Sequence, residues 1–169
     1  MEQLTLLESA AMSNSGAVSA GGLDVPLVDR VRAIIDGTAP IPPIARLIGF
    51  RIVELEPGRA MVELDIDPAK HANPMGTVHG GVLCDVADAA MGFAYASTLA
   101  RDESFATLEL KINFLRPVWR TRLRATGHVV QRGRTVGMVE CDVVDAQGRL
   151  VARASSTCMT LRDEQAAGR

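Results

Sequence analysis

The sequence predicts an α+β domain in which one long central helix is wrapped by a curved antiparallel sheet of five to six strands. Three observations carry this reading. Residues 81–99 form a helical run rich in Ala and Gly whose only charges are Asp85 and Asp88, so the helix must be buried nearly all round. Between residues 106 and 161 lie four segments of alternating polarity, separated by turn-forming residues, the mark of antiparallel strands with one face in the core. A hairpin pattern precedes the helix, which gives strands on both sides of it in sequence and a sheet able to close around it.

Taken in order, residues 9–23 are mostly Ser, Ala and Gly, and residues 1–23 are expected to form a flexible tail because they bury little surface. From Asp24 to Asp36 the apolar positions Val25, Leu27, Val28, Val31, Ile34 and Ile35 recur every three to four residues. That spacing predicts an amphipathic helix ended by Gly37, in an N-terminal segment of residues 24–43. Pro42-Pro43 opens a short helix over 44–48, for which Gly49 is the C-terminal cap. Residues 44–162 form the domain proper. Its hairpin runs over 51–56, a turn at Pro57-Gly58, and 60–66, where Val62, Leu64 and Ile66 alternate with Met61, Glu63 and Asp65. A polar loop spans 67–78. Beyond the long helix, strands are predicted over 106–115, 121–131, 135–145 and 150–161, with reversals at Gly133 and at Ala146-Gln147-Gly148. Residues 163–169 are left as a C-terminal tail, and no internal repeat interrupts the pattern.

A chain of 169 residues with 47% apolar and 22% charged residues has the size and composition of one ordinary globular domain. A net charge of −2 offers no general attraction to nucleic acid. Cys84, Cys141 and Cys158 are odd in number and lack metal-ligand spacing, so they read as free thiols of a reducing compartment. The opening Met1-Glu2-Gln3-Leu4 has no basic n-region, and no apolar run approaches bilayer length; a cytoplasmic protein without membrane contact is expected. Three histidines, His71, His79 and His128, do not cluster, and no metal site is predicted. Neither a serine nucleophile elbow nor a phosphate-cradling Gly-Lys loop is present.

The chemistry is concentrated between Asn73 and Asp88. The stretch Asn73-Pro74-Met75-Gly76-Thr77-Val78-His79-Gly80-Gly81 is a loop ending in two glycines at the start of the buried helix. Free N–H groups at a helix N-terminus, aided by the helix dipole, polarise a carbonyl and hold an oxyanion, and glycine lets a substrate approach. Asp88, about two turns further, is costly to bury in an apolar helix unless it is paired, hydrogen-bonded or solvated by a cleft. Either a structural partner or an active site would account for it, and Asp85 is its rival. His79 reads as a general base or as a loop scaffold bonded to backbone.

The run Asn73…Gly76-Thr77-Val78-His79-Gly80-Gly81…Asp88, preceded by Leu47-Ile48-Gly49-Phe50 and followed by Asn113-Phe114-Leu115-Arg116-Pro117, resembles the hotdog-fold thioesterases of the phenylacetate-pathway (PaaI-like) family. The similarity covers residues 44–161. What it implies is hydrolysis of an acyl-CoA thioester, with no cofactor beyond the coenzyme A of the substrate. Asp88 falls on the family's catalytic carboxylate, acting as base or nucleophile. Gly80 falls on the residue whose N–H polarises the thioester carbonyl, Asn73 on a positioning residue, His79 on the loop histidine, and Thr107 on a Ser/Thr position reaching the site from the adjacent subunit. The resemblance further implies a homodimer or homotetramer with intersubunit active sites.

Gly81, Val82, Met91 and Tyr95, with the strand near Phe105, are expected to line the substrate pocket. Coenzyme A brings phosphates, and Arg116, Arg132 and Arg134 are the candidate cations, whereas Arg120, Arg122 and Arg124 share one strand face that also suits plain solvation. Two other readings stay open on the sequence: a hotdog hydratase or dehydratase acting on acyl thioesters, and a non-enzymatic acyl-CoA-binding protein.

Overall fold

The computed structural model describes residues 25–166; the predicted tail over 1–23 and residues 167–169 lie outside the described residues. In chain order the elements are α1 (Leu27–Ile35), α2 (Pro43–Ile48), β1 (Arg51–Glu56), β2 (Arg59–Asp65), α3 (Pro68–His71), α4 (Gly80–Ala96), β3 (Ser104–Phe114), β4 (Arg122–Arg132), β5 (Val136–Val144) and β6 (Leu150–Leu161), with a 3₁₀ turn at Asp163–Gln165. The six strands form one antiparallel sheet in the order β1-β2-β4-β5-β6-β3. After α4 the chain crosses to the far edge to lay down β3, and the returning strands fill the space between.

The alternation seen in the sequence is the burial pattern of the sheet. Ala60, Val62 and Leu64 of β2, Leu123 and Ala125 of β4, Val139, Cys141 and Val143 of β5, and Val151, Ala154 and Cys158 of β6 are buried and face α4. Burial pushes the Cys141 thiol up to about 12, so it stays a neutral packing group. From α4 the sheet receives Leu83, Val86, Ala87, Ala90, Met91, Ala94 and Tyr95. The helix sits so close to β4 that a Cβ on Gly127 would lie 2.4 Å from the Ala90 carbonyl oxygen; glycine is required for that approach.

Two elements depart from the expected pattern. Helix α4 stops at Ala96 rather than near Leu99 because two hydroxyls turn back onto its last carbonyls. Ser97 Oγ donates to Ala94 O at 2.6 Å and Thr98 Oγ1 to Tyr95 O at 2.7 Å. The loop over 67–78 contains the one-turn helix α3, started by Asp67, whose side chain accepts the Ala69 N–H at 3.1 Å, with Pro68 in the first helical position. Four residues are too few for a periodicity to show. Among the described residues no helix is long and apolar enough to cross a membrane.

Candidate active site

The loop before α4 is tied down from within and from behind. Asn73 Oδ1 accepts the N–H groups of Met75 at 2.9 Å and Thr77 at 3.2 Å, while its Nδ2 donates to Thr77 Oγ1 at 2.8 Å. These bonds close the turn and leave Asn73 acting chiefly on the shape of the loop. Behind it stands His71, 5% exposed. Its Nδ1 accepts the Asp67 N–H at 3.0 Å, its Nε2 meets the Ile48 carbonyl at 2.9 Å, and its own carbonyl accepts the His79 N–H at 2.8 Å. One residue thus joins three elements: its imidazole, protonated on Nε2, links the end of α2 to the start of α3, and its main-chain carbonyl holds the entry to α4. Sequence reasoning passed over His71 because none of these partners is a side chain with a recognisable spacing.

His79 is the N-cap of α4: its Nδ1 accepts the Gly81 N–H at 2.9 Å, and its carbonyl accepts the Val82 N–H at 3.0 Å. Gly81 is therefore satisfied within the fold. Among the described residues no hydrogen bond claims the Gly80 N–H, which stays free at the positive end of the helix dipole. A Cβ on Gly80 would fall 2.9 Å from the Phe114 ring, so the ring closes over a residue that has no side chain to obstruct it.

This free donor borders a cavity of about 580 Å³ whose lining includes Asn73, Thr77, His79, Gly80, Phe114 and Arg116. Phe114 and Leu115 are exposed large apolar groups on its wall. As adjacent residues they break strand alternation, which was the available signal for a pocket wall. Arg116 shares the lining, and among the described residues it forms no ion pair.

Asp88 and Thr107 lie elsewhere on α4 and β3. Thr107 Oγ1 donates to Asp88 Oδ1 at 3.3 Å. The Asp88 side chain reaches solvent, yet enough protein surrounds it that desolvation raises its carboxyl above the ordinary 3.8; the Thr107 bond opposes that rise and the charge of Asp85 adds to it. Asp85 is raised by desolvation as well. Asp88 comes eight residues after Gly80, about 12 Å along a helix, beyond the reach of one Asp side chain. The loop set (Asn73, His79, Gly80, Arg116) and the carboxylate set (Asp88, Thr107) are therefore two separate clusters within one chain.

Several expected lining residues stand apart from both. Met91 and Tyr95 are fully buried in the core, and Tyr95 Oη shares a hydrogen bond with Thr160 Oγ1 at 2.8 Å. Val82 is half-buried against the same core. Arg132 is committed to the fold, paired with Glu103 and donating to the Thr98 carbonyl. Arg122 and Arg124 pair with Asp65 and Glu63 across β2 and β4. Arg134 is exposed on the β4–β5 reversal.

The comparisons with known proteins agree with this architecture. The profile of the thioesterase superfamily matches residues 75–152, the segment holding Gly80, Asp88, Thr107 and Arg116. The acyl-coenzyme A thioesterase PaaI of Escherichia coli is 33% identical over 110 residues, spanning 64% of this chain and 75% of that protein. Among solved structures, a variant of the phenylacetic acid degradation protein PaaI from Thermus thermophilus is 28% identical, with a TM-score of 0.65 over 70% of this chain and 98% of its own. A thioesterase family protein from Silicibacter pomeroyi, also 28% identical, reaches 0.71 over 81% of this chain and 99% of its own. The chain belongs to the thioesterase superfamily, as a PaaI-like thioester hydrolase of the hotdog fold.

Proposed function

We propose that the protein hydrolyses acyl-coenzyme A thioesters to the free acid and coenzyme A, at a site assembled from two copies of the chain. The observation that carries this is the unclaimed Gly80 N–H at the head of α4, facing a cavity of about 580 Å³. Such a donor is matched to the oxygen of a carbonyl under attack, and the name of the Escherichia coli relative supports coenzyme A as the leaving group.

Asp88 supplies the second half. As general base it takes a proton from water while the water oxygen bonds to the carbonyl carbon. Negative charge moves onto the carbonyl oxygen and rests on the Gly80 N–H. Collapse breaks the C–S bond, and the departing thiolate takes the proton from Asp88. As nucleophile, Asp88 instead bonds to the carbon, expels the thiolate and is released by water. In both routes Thr107 holds one carboxylate oxygen, Asn73 and His79 keep the loop in shape, and Arg116 and Arg134 offer cations to the phosphates.

One carbonyl cannot lie within hydrogen-bond reach of both Gly80 and Asp88 of a single chain, which supports pairing the loop of one copy with the carboxylate of another. The edge strand β3 is eleven residues long and, among the described residues, pairs only with β6. An unpaired edge of that length is a template for a second β3. Replacing Asp88 by Asn tests the chemistry: thiol release from acyl-CoA should fall by a hundredfold or more, roughly the contribution of a positioned base. Wild-type turnover in that variant would overturn the assignment.

A further inference from the structure

The seam between α4 and β3 that holds Asp88 continues beyond it. Phe105 and Thr107 are two residues apart and share one face of β3; Asp88 and Gly92 are one turn apart and share a face of α4. The strand step of about 7 Å and the helix step of about 6 Å nearly match. Thr107 consequently meets Asp88 at 3.3 Å, while Phe105 meets Gly92, where an added Cβ would lie 3.3 Å from the ring. At this second crossing is a cavity of about 110 Å³, lined by Leu27, Val31, Ala89, Gly92, Phe93 and Phe105 together with Ala96. Every lining residue is apolar. Leu27 and Val31 come from α1, which precedes the segment matched by the superfamily profile.

We propose that this cavity receives the acyl group of the substrate, and that α1, through Leu27, acts with Phe105 and Gly92 to limit the acyl group to a short unsubstituted chain. The inference rests on the reading of Asp88 as the group acting at the thioester carbonyl. With the carbonyl at Asp88, the carbons on its acyl side run along the seam and reach Gly92 one helical turn later. No donor or acceptor side chain lines the cavity, so a charged or hydroxylated acyl group would be left unsatisfied there. A protein cavity of about 150 Å³ accommodates one benzene ring; the space beside Gly92, about 110 Å³, suits about four carbons beyond the carbonyl. The outer wall formed by α1 stands where a fatty chain would continue, and the glycine at position 92 leaves the floor open where any side chain would fill it.

The test is the rate of coenzyme A release by the full-length protein from acetyl-, butyryl-, hexanoyl-, octanoyl- and palmitoyl-CoA, with thermal melts to confirm folding. In the wild type kcat/KM should rise about fourfold per added methylene until the cavity is full near hexanoyl, and then stop rising. Leu27→Ala and Phe105→Ala should raise the octanoyl-to-butyryl ratio roughly fifteenfold, the worth of about two buried methylenes. Gly92→Val should move the optimum towards acetyl. If Phe105→Ala does not fold, Leu27→Ala, on the partly exposed α1, decides the matter. A wild type that prefers palmitoyl-CoA, or a length profile unchanged in Leu27→Ala, overturns the acyl-pocket assignment; if Asp88→Asn still abolishes hydrolysis, the thioesterase reading survives that result. Absence of hydrolysis with every acyl-CoA overturns both.

Discussion

Asp88 keeps its proton to a higher pH than an exposed carboxyl because desolvation, more than any neighbour, penalises its charge. The sign of the stability effect follows. The folded-state value lies above the unfolded one, so the native state gains relative stability below about 3.8 and loses it as pH rises through the folded value. Asp88→Asn removes a charge that is costly at neutral pH. Its melting temperature should exceed that of the wild type near pH 7, and the two should converge below about pH 3. A variant no more stable than the wild type near pH 7 would mean that the carboxylate is well solvated or paired. At this scale the sequence was informative where chemistry and backbone coincide: two glycines before an apolar helix and a carboxylate within it marked Gly80 and Asp88. It set Met91 and Tyr95 on the substrate pocket and Arg132 among the phosphate cations, whereas the fold buries the first two in its core and pairs the third with Glu103, and it gave His71 no role. Their roles depend on Ile48, Thr160, Glu103 and other partners far away in the chain, and local patterning carries no record of such contacts.

Helix α4 carries both Gly80 and Asp88, and its position depends on the close crossing over β4. At Gly127 an added methyl would lie 2.4 Å from Ala90 O and 2.5 Å from Ala90 C, both backbone atoms that cannot swing aside. Gly127→Ala should therefore destabilise the fold by about 1–3 kcal/mol or more, lowering the melting temperature by several degrees for a domain of this size and displacing the Gly80 end relative to its loop. A melting temperature equal to the wild type would show that the helix shifts freely on the sheet. The strands were legible because each buries one regular face, and α4 because it carries almost no charge. Their neighbours were not: alternation says which face of β3 is inward but nothing about its pairing with β6 at the far edge, a contact between distant segments. The short α3 was read as part of the polar loop over 67–78, and the early end of α4 depends on the hydroxyls of Ser97 and Thr98 folding back.

At the scale of the whole molecule, one working site is proposed to take its Gly80 N–H from one chain and its Asp88 from another. The resemblance in the sequence implied shared sites, and the eight residues of helix between the two groups, about 12 Å, are what supports that proposal. What was not legible was how completely they divide, with Asn73, His79, Gly80 and Arg116 on one cavity and Asp88 with Thr107 on the α4–β3 seam. A backbone donor can be deleted here. Gly80 is the first residue of α4 and follows His79 with φ −65 and ψ 136, so Gly80→Pro suits the backbone of the helix start while removing the N–H, with the exposed Phe114 ring turning aside to admit the new side chain. The decisive measurement is thiol release by Asp88→Asn and Gly80→Pro chains co-expressed in equal amounts and purified together. Each variant alone should be inactive, whereas the mixture should recover about a quarter of wild-type activity, because half of randomly paired dimers carry one intact site of two. A mixture that assembles normally yet stays as inactive as its parents would contradict the composite site.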